Sequence, residues 1–187
     1  MTPPDNRTAA EGAAVDWPVQ LHGVLRRAGI AQVTYVPDAG HARLIELCQQ
    51  DASMKAIVLT SEQEGVGVLA GAWLGGQRGV LLMQSSGVGN CINTLSMAQV
   101  CGFPLLMLVT MRGEWGEFNP WQVPMGQSTE QCLRAQNVLV ERVTDAALIA
   151  PTVEAAAQIA FNSSRAVAVL ISQRIIGTKT FAKGVEE

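Results

Sequence analysis

The sequence predicts an α/β domain: a doubly wound, six-stranded, mostly parallel sheet with helices on both faces. Three observations lead there. Six short runs of β-branched and apolar residues recur along a chain of 187 residues. Most are continuously apolar instead of alternating, as parallel strands covered on both faces are. A helical pattern separates each run from the next, as parallel crossovers require. The length suits one domain, since domains commonly hold roughly 100–200 residues.

The opening MTPPDNRTAAEGAAVD has no apolar run after a basic stretch, which argues against a leader or anchor. Residues 1–15 are expected to form a flexible tail ahead of a domain over 16–176. The first helix is predicted over 17–29, with Asp16 as N-cap, Pro18 in the first turn and Gly29 at the C-terminal stop. Strands follow at QVTYVP (32–37), AIVLT (56–60), GVLLMQ (79–84), PLLMLVT (104–110), VLVERV (138–143) and AVAVLIS (166–172). The intervening helices are predicted at 41–51, 63–76, 90–102, 128–136 and 152–165, and the polar end over 177–187 reads as a frayed tail.

Composition removes several classes of function. With 48% hydrophobic and 16% charged residues, a net charge of −3 and no Lys/Arg cluster, the chain lacks the electrostatic footprint of nucleic-acid binding. Its most apolar stretch, PLLMLVTM at 104–111, falls far short of the roughly 18 residues a membrane span needs. A soluble, cytoplasmic protein is expected. Cys48, Cys91, Cys101 and Cys132 show no C-x-x-C spacing, so buried thiols are expected and neither disulfides nor a metal site.

In doubly wound sheets ligands collect beyond the carboxyl ends of the strands. The loops there are PDAGH (37–41), SEQEG (61–65), SSGVGN (85–90) and the long 111–127. SSGVGN offers a possible N–H nest and half of a dinucleotide fingerprint, but the third glycine position falls at Ile92. Cys91 opens the following helix, where the dipole lowers a thiol pKa, yet no histidine is tied to it by motif. His41 lies at a strand end and His22 inside a helix. The loop 111–127 displays Trp115, Phe118 and Trp121 beside Arg112, Glu114 and Glu117; it reads as an interface, a lid or a cover for the domain's own core. Glu62 and Glu64 stand at a helix start, where carboxylates favour the dipole by roughly 0.3–1 kcal/mol. Behind them Gly65, Gly67, Gly71, Gly75 and Gly76 forgo helix propensity, which implies a close approach to that helix.

Taken together, these loops resemble the pyrimidine-binding domain of thiamine diphosphate-dependent decarboxylases. The likeness rests on Ser61-Glu62-Gln63-Glu64 with Gly71 nine residues after Glu62, Pro37 after the first strand, Gln84-Ser85-Ser86-Gly87-Val88-Gly89-Asn90 after the third, and Phe103-Pro104-Leu105-Leu106, and it covers roughly 17–175. MQSSGVGN and RGEWGEFNPWQVPMGQ are similar to the branch of phosphonopyruvate and sulfopyruvate decarboxylases, best matched by the stand-alone α subunits of the latter. The family's Gly-Asp-Gly followed by Asn, which holds magnesium and diphosphate, is missing. The resemblance therefore implies a hetero-oligomer in which a diphosphate-domain (β) subunit holds Mg2+ and the rest of thiamine diphosphate.

The resemblance makes Glu62 the catalytic carboxylate, bonded to N1′ of the cofactor's aminopyrimidine. Pro37, Ser85, Ser86 and Gly87 are implied as cofactor contacts. Asp38, His41, Gln84 and Arg112 are candidates for the substrate, a small 2-oxo acid. Sulfopyruvate, on the route to coenzyme M, is the leading candidate. Phosphonopyruvate, another 2-oxo acid, or a non-catalytic subunit of the same fold are the alternatives.

Overall fold

The computed structural model describes residues 15–178. The expected tails over 1–15 and 177–187 lie outside the described residues, save Val15, Gly177 and Thr178. The strands are β1 (Ile30–Tyr35), β2 (Lys55–Val58), β3 (Arg78–Gln84), β4 (Leu105–Thr110), β5 (Leu139–Val143) and β6 (Ala166–Ile171). They form one sheet in the order β2-β1-β3-β4-β6-β5, and every pairing is parallel. The central strands are continuously buried, whereas edge strand β2 leaves Val58 60% exposed.

The helices are α1 (Trp17–Arg27), α2 (Ala42–Gln50), α3 (Glu62–Leu74), α4 (Ser85–Cys91), α5 (Ser96–Cys101), α6 (Val123–Ala135), α7 (Ile149–Ser163) and α8 (Gln173–Ile176). Two cores divide them. Leu21, Leu25, Leu44, Val153 and Ala160 from α1, α2 and α7 cover one face with Val33, Val80, Leu106 and Val167. Val66, Leu69, Val88, Cys91 and Leu133 from α3, α4 and α6 cover the other with Leu81, Met83, Met107 and Ala168. Because alternate residues of one strand enter different cores, the central strands β4 and β6 are apolar almost throughout, whereas edge strand β5 exposes Glu141 and Arg142.

Three expectations need correction. The segment 90–102 is not one helix: α4 starts at Ser85, directly off β3, and the turn 92–95 separates it from α5. SSGVGN is thus helix and not loop; Gly87 permits close packing against Glu62 of α3, and Gly89 against Met125 of α6. The helix expected at 128–136 begins at Val123, because Pro124 sits in the first turn, where its missing N–H costs nothing. Asp16 does precede α1, but its carboxylate makes no capping bond; it accepts from Arg43 at 3.1 and 2.6 Å instead.

Between β1 and β3 the chain departs to opposite faces, through α2 on one side and α4 on the other. This is the switch point where such sheets open a crevice. Asp38, Gln84 and Ser85 leave the sheet there.

Candidate functional site

Glu62 is the first residue of α3 and only 7% exposed. Its Oε2 accepts a hydrogen bond from Asn90 Nδ2 at 2.8 Å. Beneath it lies Gly87, where an added Cβ would come within 2.4 Å of Oε1 and 2.5 Å of the carboxyl carbon. The carboxylate therefore lies flat against α4, and glycine is the residue that admits it. Glu64, two residues on, turns away: it accepts from the Thr60 N–H at 3.0 Å and the Thr60 hydroxyl at 2.5 Å. Those bonds hold its carboxyl below the usual range. The glycines of α3 split likewise. Gly65 admits Leu81 and Leu59 of the domain's own core, while an added Cβ at Gly67 or Gly71 would meet nothing within 4 Å. The close approach expected along the whole helix is, within this chain, confined to Gly65.

A second cluster lies where β1, β3 and β4 end. Asp38 Oδ1 accepts from Gln84 Nε2 at 3.1 Å, and its Oδ2 from the Thr110 hydroxyl at 2.5 Å. Gln84 Oε1 accepts from Ser86 Oγ at 2.9 Å. His41 Nδ1 stands 3.7 Å from Asp38 Oδ2, so that contact is electrostatic and not a hydrogen bond. Burial pushes the Asp38 carboxyl up, but the His41 imidazole, the Thr110 hydroxyl and the Gly40 N–H outweigh it and hold the carboxyl well below its ordinary value. His41 is fully buried, yet neither ring nitrogen has a hydrogen-bond partner. Buried polar atoms normally find one, and His41 has only the longer contact to Asp38. Pro37 lies beside this cluster, in an open groove with Tyr35, Ala39 and Gln49.

Asp38, Gly40, Thr110 and Arg112 line a cavity of about 100 Å3 with Ile176, Gly177 and Thr178. Arg112 is not free to act as a lone cation there. Its guanidinium is paired with both oxygens of Glu117, at 2.6 and 2.5 Å, and lies 5.6 Å from the Phe118 ring centroid. Ser85 is fully buried and its Oγ accepts the Arg112 N–H at 3.1 Å, so it ties α4 to the end of β4. Gln173 on α8 receives the N–H groups of Glu114 and Trp115 at 3.0 and 3.1 Å and donates to Glu117 at 3.0 Å. The loop after β4 is thus held in place by its own acids. Trp115 lies under Arg174, while Trp121 is 85% exposed.

Sequence reasoning gave no role to Thr110, Gln173 or Asn90. The first two are tertiary partners without a local signal. Asn90 had one: it follows Gly87 by three residues, the spacing that puts two residues on one helix face. The Cys91 nucleophile is excluded as well. Burial, then the Glu62 charge, pushes its thiol up to about 12.

Glu62 on Gly87 of the helix that leaves β3, and the Asp38–Gln84–Thr110 cluster at the ends of β1, β3 and β4, both lie at the end of the sheet where parallel α/β domains hold their ligands. Residues 20–131 match the family model described as thiamine pyrophosphate enzyme, N-terminal TPP binding domain. The chain is 34% identical over 158 residues to the sulfopyruvate decarboxylase subunit alpha of Methanothermobacter thermautotrophicus, covering 84% of this chain and 96% of the relative. It is 30% identical to the sulfopyruvate decarboxylase of Methanosarcina acetivorans, over 81% of this chain and 39% of that longer one. A 2-oxoglutarate:ferredoxin oxidoreductase from Magnetococcus marinus shares the fold at 14% identity, with a TM-score of 0.65 over 86% of this chain and 29% of that one. The chain belongs to the thiamine pyrophosphate enzymes, as their N-terminal TPP-binding domain.

The residues present fit one end of that cofactor. The cradle that a Cβ at Gly87 would fill keeps a carboxylate in place and still partly open. The described residues contain no group of three or more His, Cys, Asp or Glu side chains suited to a metal ion. No described helix is long and apolar enough to cross a membrane.

Proposed function

We propose that this chain is the α-type subunit of a thiamine diphosphate-dependent decarboxylase that converts sulfopyruvate to sulfoacetaldehyde and CO2 in the cytoplasm. A separate diphosphate-domain subunit completes the site and holds Mg2+. The observation that carries this reading is the Glu62 carboxylate, 7% exposed and seated on Gly87. The share of relatives matched supports the two-chain arrangement: nearly the whole of a subunit named alpha, but 39% of the longer protein named sulfopyruvate decarboxylase.

When bound, thiamine diphosphate supplies a carbon nucleophile for the 2-oxo group and a sink for the electrons left by CO2. The chain's residues position and exchange protons. Glu62 would hold the aminopyrimidine end of the cofactor through a carboxylate hydrogen bond and favour its reactive tautomer, while Ser85, Ser86, Gly87 and Pro37 would shape the wall behind it. Asp38, His41 and Gln84 face the substrate, with His41 the group best suited to hold or move a proton, since its ring nitrogens are unpartnered. Arg112 shapes the cavity wall with its charge already matched by Glu117. The counter-charge for a sulfonate then comes from backbone N–H groups or from the partner subunit.

The test is reconstitution. The purified chain alone releases no CO2 from sulfopyruvate. With the companion chain, Mg2+ and thiamine diphosphate it does, and sulfoacetaldehyde accumulates in equal amount. Turnover of phosphonopyruvate but not sulfopyruvate by the same complex would reassign the substrate.

A further inference from the structure

We propose that Asn90 is a positioning residue for Glu62, acting through its side-chain donor. The inference rests on the reading of Glu62 given above and extends it to a residue with no assigned role.

Two contacts fix the Glu62 carboxylate, and both come from one face of α4. Gly87 provides the floor, where an added Cβ would lie 2.4 Å from Oε1, and Asn90 Nδ2 donates to Oε2 at 2.8 Å. The chemistry of the donor matters. A carboxamide N–H can only donate, so it binds an accepting carboxylate oxygen and fixes where that oxygen points. It also holds Oε2, while Oε1 enters no hydrogen bond among the described residues. One oxygen is anchored and the other remains available to a ring nitrogen. Without Asn90 the Glu62 side chain keeps its floor but loses the bond that fixes its rotation, and rotation decides whether a lone pair meets the partner atom. Effects of this kind, in which a neighbouring group orients a functional one, commonly cost roughly 10–100-fold.

Asn90→Asp and Asn90→Ala separate donor chemistry from shape. Aspartate is nearly isosteric but offers no donor when ionised and sets a second carboxylate against Glu62. In the full chain alone, the Tm of Asn90→Asp relative to wild type is expected to fall as pH rises from about 5 to about 8, because like carboxylates in contact hold a shared proton only at lower pH. The trend should be absent in Asn90→Ala and should vanish when Glu62→Gln is added to Asn90→Asp. In the reconstituted complex, both variants should lose kcat by about 10–100-fold with substrate KM changed less than about threefold, and Asn90→Asp should regain part of the loss towards lower pH. A flat Tm difference for Asn90→Asp, or wild-type kcat in both variants, would overturn the proposal. Full activity in Glu62→Gln would instead overturn the role of Glu62, with the Tm trend of Asn90→Asp unaffected.

Discussion

Arg112 and Glu117, five residues apart on the loop after β4, form a two-pronged ion pair at 2.6 and 2.5 Å, with side chains 10% and 3% exposed. Glu117 also accepts from the N–H groups of Gly113 and Asn119 and from Gln173. The pair turns the cation nearest the proposed substrate cavity into a structural element, and stability should report it.

The Arg112 hydrogen bonds hold the Glu117 carboxyl at about 2, against burial, which pushes it up. A depressed carboxylate contributes stability that is complete above its unfolded value of 4.5 and is lost as pH falls towards about 2. Glu117→Gln should remove that part of the acid dependence. It should also cost about 3–5 kcal/mol at neutral pH, because it leaves a buried guanidinium unpaired. Thermal unfolding of the two chains between pH 2 and 7 checks both, with a roughly parallel pair of curves as the contrary outcome.

Glycine positions on the α3–α4 face should divide by what they touch. Gly87→Ala drives a methyl into the Glu62 carboxyl, and a misplacement of about 1 Å at a reacting group can cost roughly 100-fold in rate. Gly71→Ala adds a methyl in open space and should stabilise the isolated chain by about 0.5–1 kcal/mol. Urea unfolding with activity assays on the reconstituted complex measures both. Equal activity loss without Glu62 displacement in a Gly87→Ala structure would count against the cradle.

Thiol chemistry offers an independent check. Cys91 is buried with its thiol at about 12, and Cys48 is raised as far by burial and the Asp51 charge, whereas Cys101 is exposed. Alkylation of the native chain at about pH 8 should label Cys101 rapidly and spare Cys91 and Cys48, as a thiolate is the reactive form. Mass spectrometry of the digested chain identifies the labelled residue; fast modification of Cys91 would contradict the packing of α4.

All six strands were legible as short runs rich in apolar and β-branched residues, and the central ones are continuously apolar because they are buried on two faces. The sheet's parallel character followed from the helices between them; the strand order did not. The register of α4 was not legible: Ser85-Ser86-Gly87-Val88-Gly89-Asn90 has the composition of a turn, and the contacts that accompany its helix, with Glu62 of α3 and Met125 of α6, are distant in sequence. The structure gives the two acids different surroundings: Glu62 lies on Gly87 beside Asn90, and Glu64 is bonded to Thr60. Arg112 read as an available cation because its partner's role is invisible locally; Glu117 is held by Gln173, 56 residues away. The glycines of α3 carried a real signal, but it marked two environments, the core at Gly65 and open space at Gly67 and Gly71.

The central claim is that Glu62 is the carboxylate through which this chain sets the cofactor's reactive state. The most direct measurement is kcat of the reconstituted complex with Glu62→Gln, a change that preserves shape and removes the charge, at saturating thiamine diphosphate and Mg2+. The account predicts a fall of at least about 100-fold, with the chain's Tm and its binding to the companion chain retained. A kcat within about twofold of wild type would contradict it.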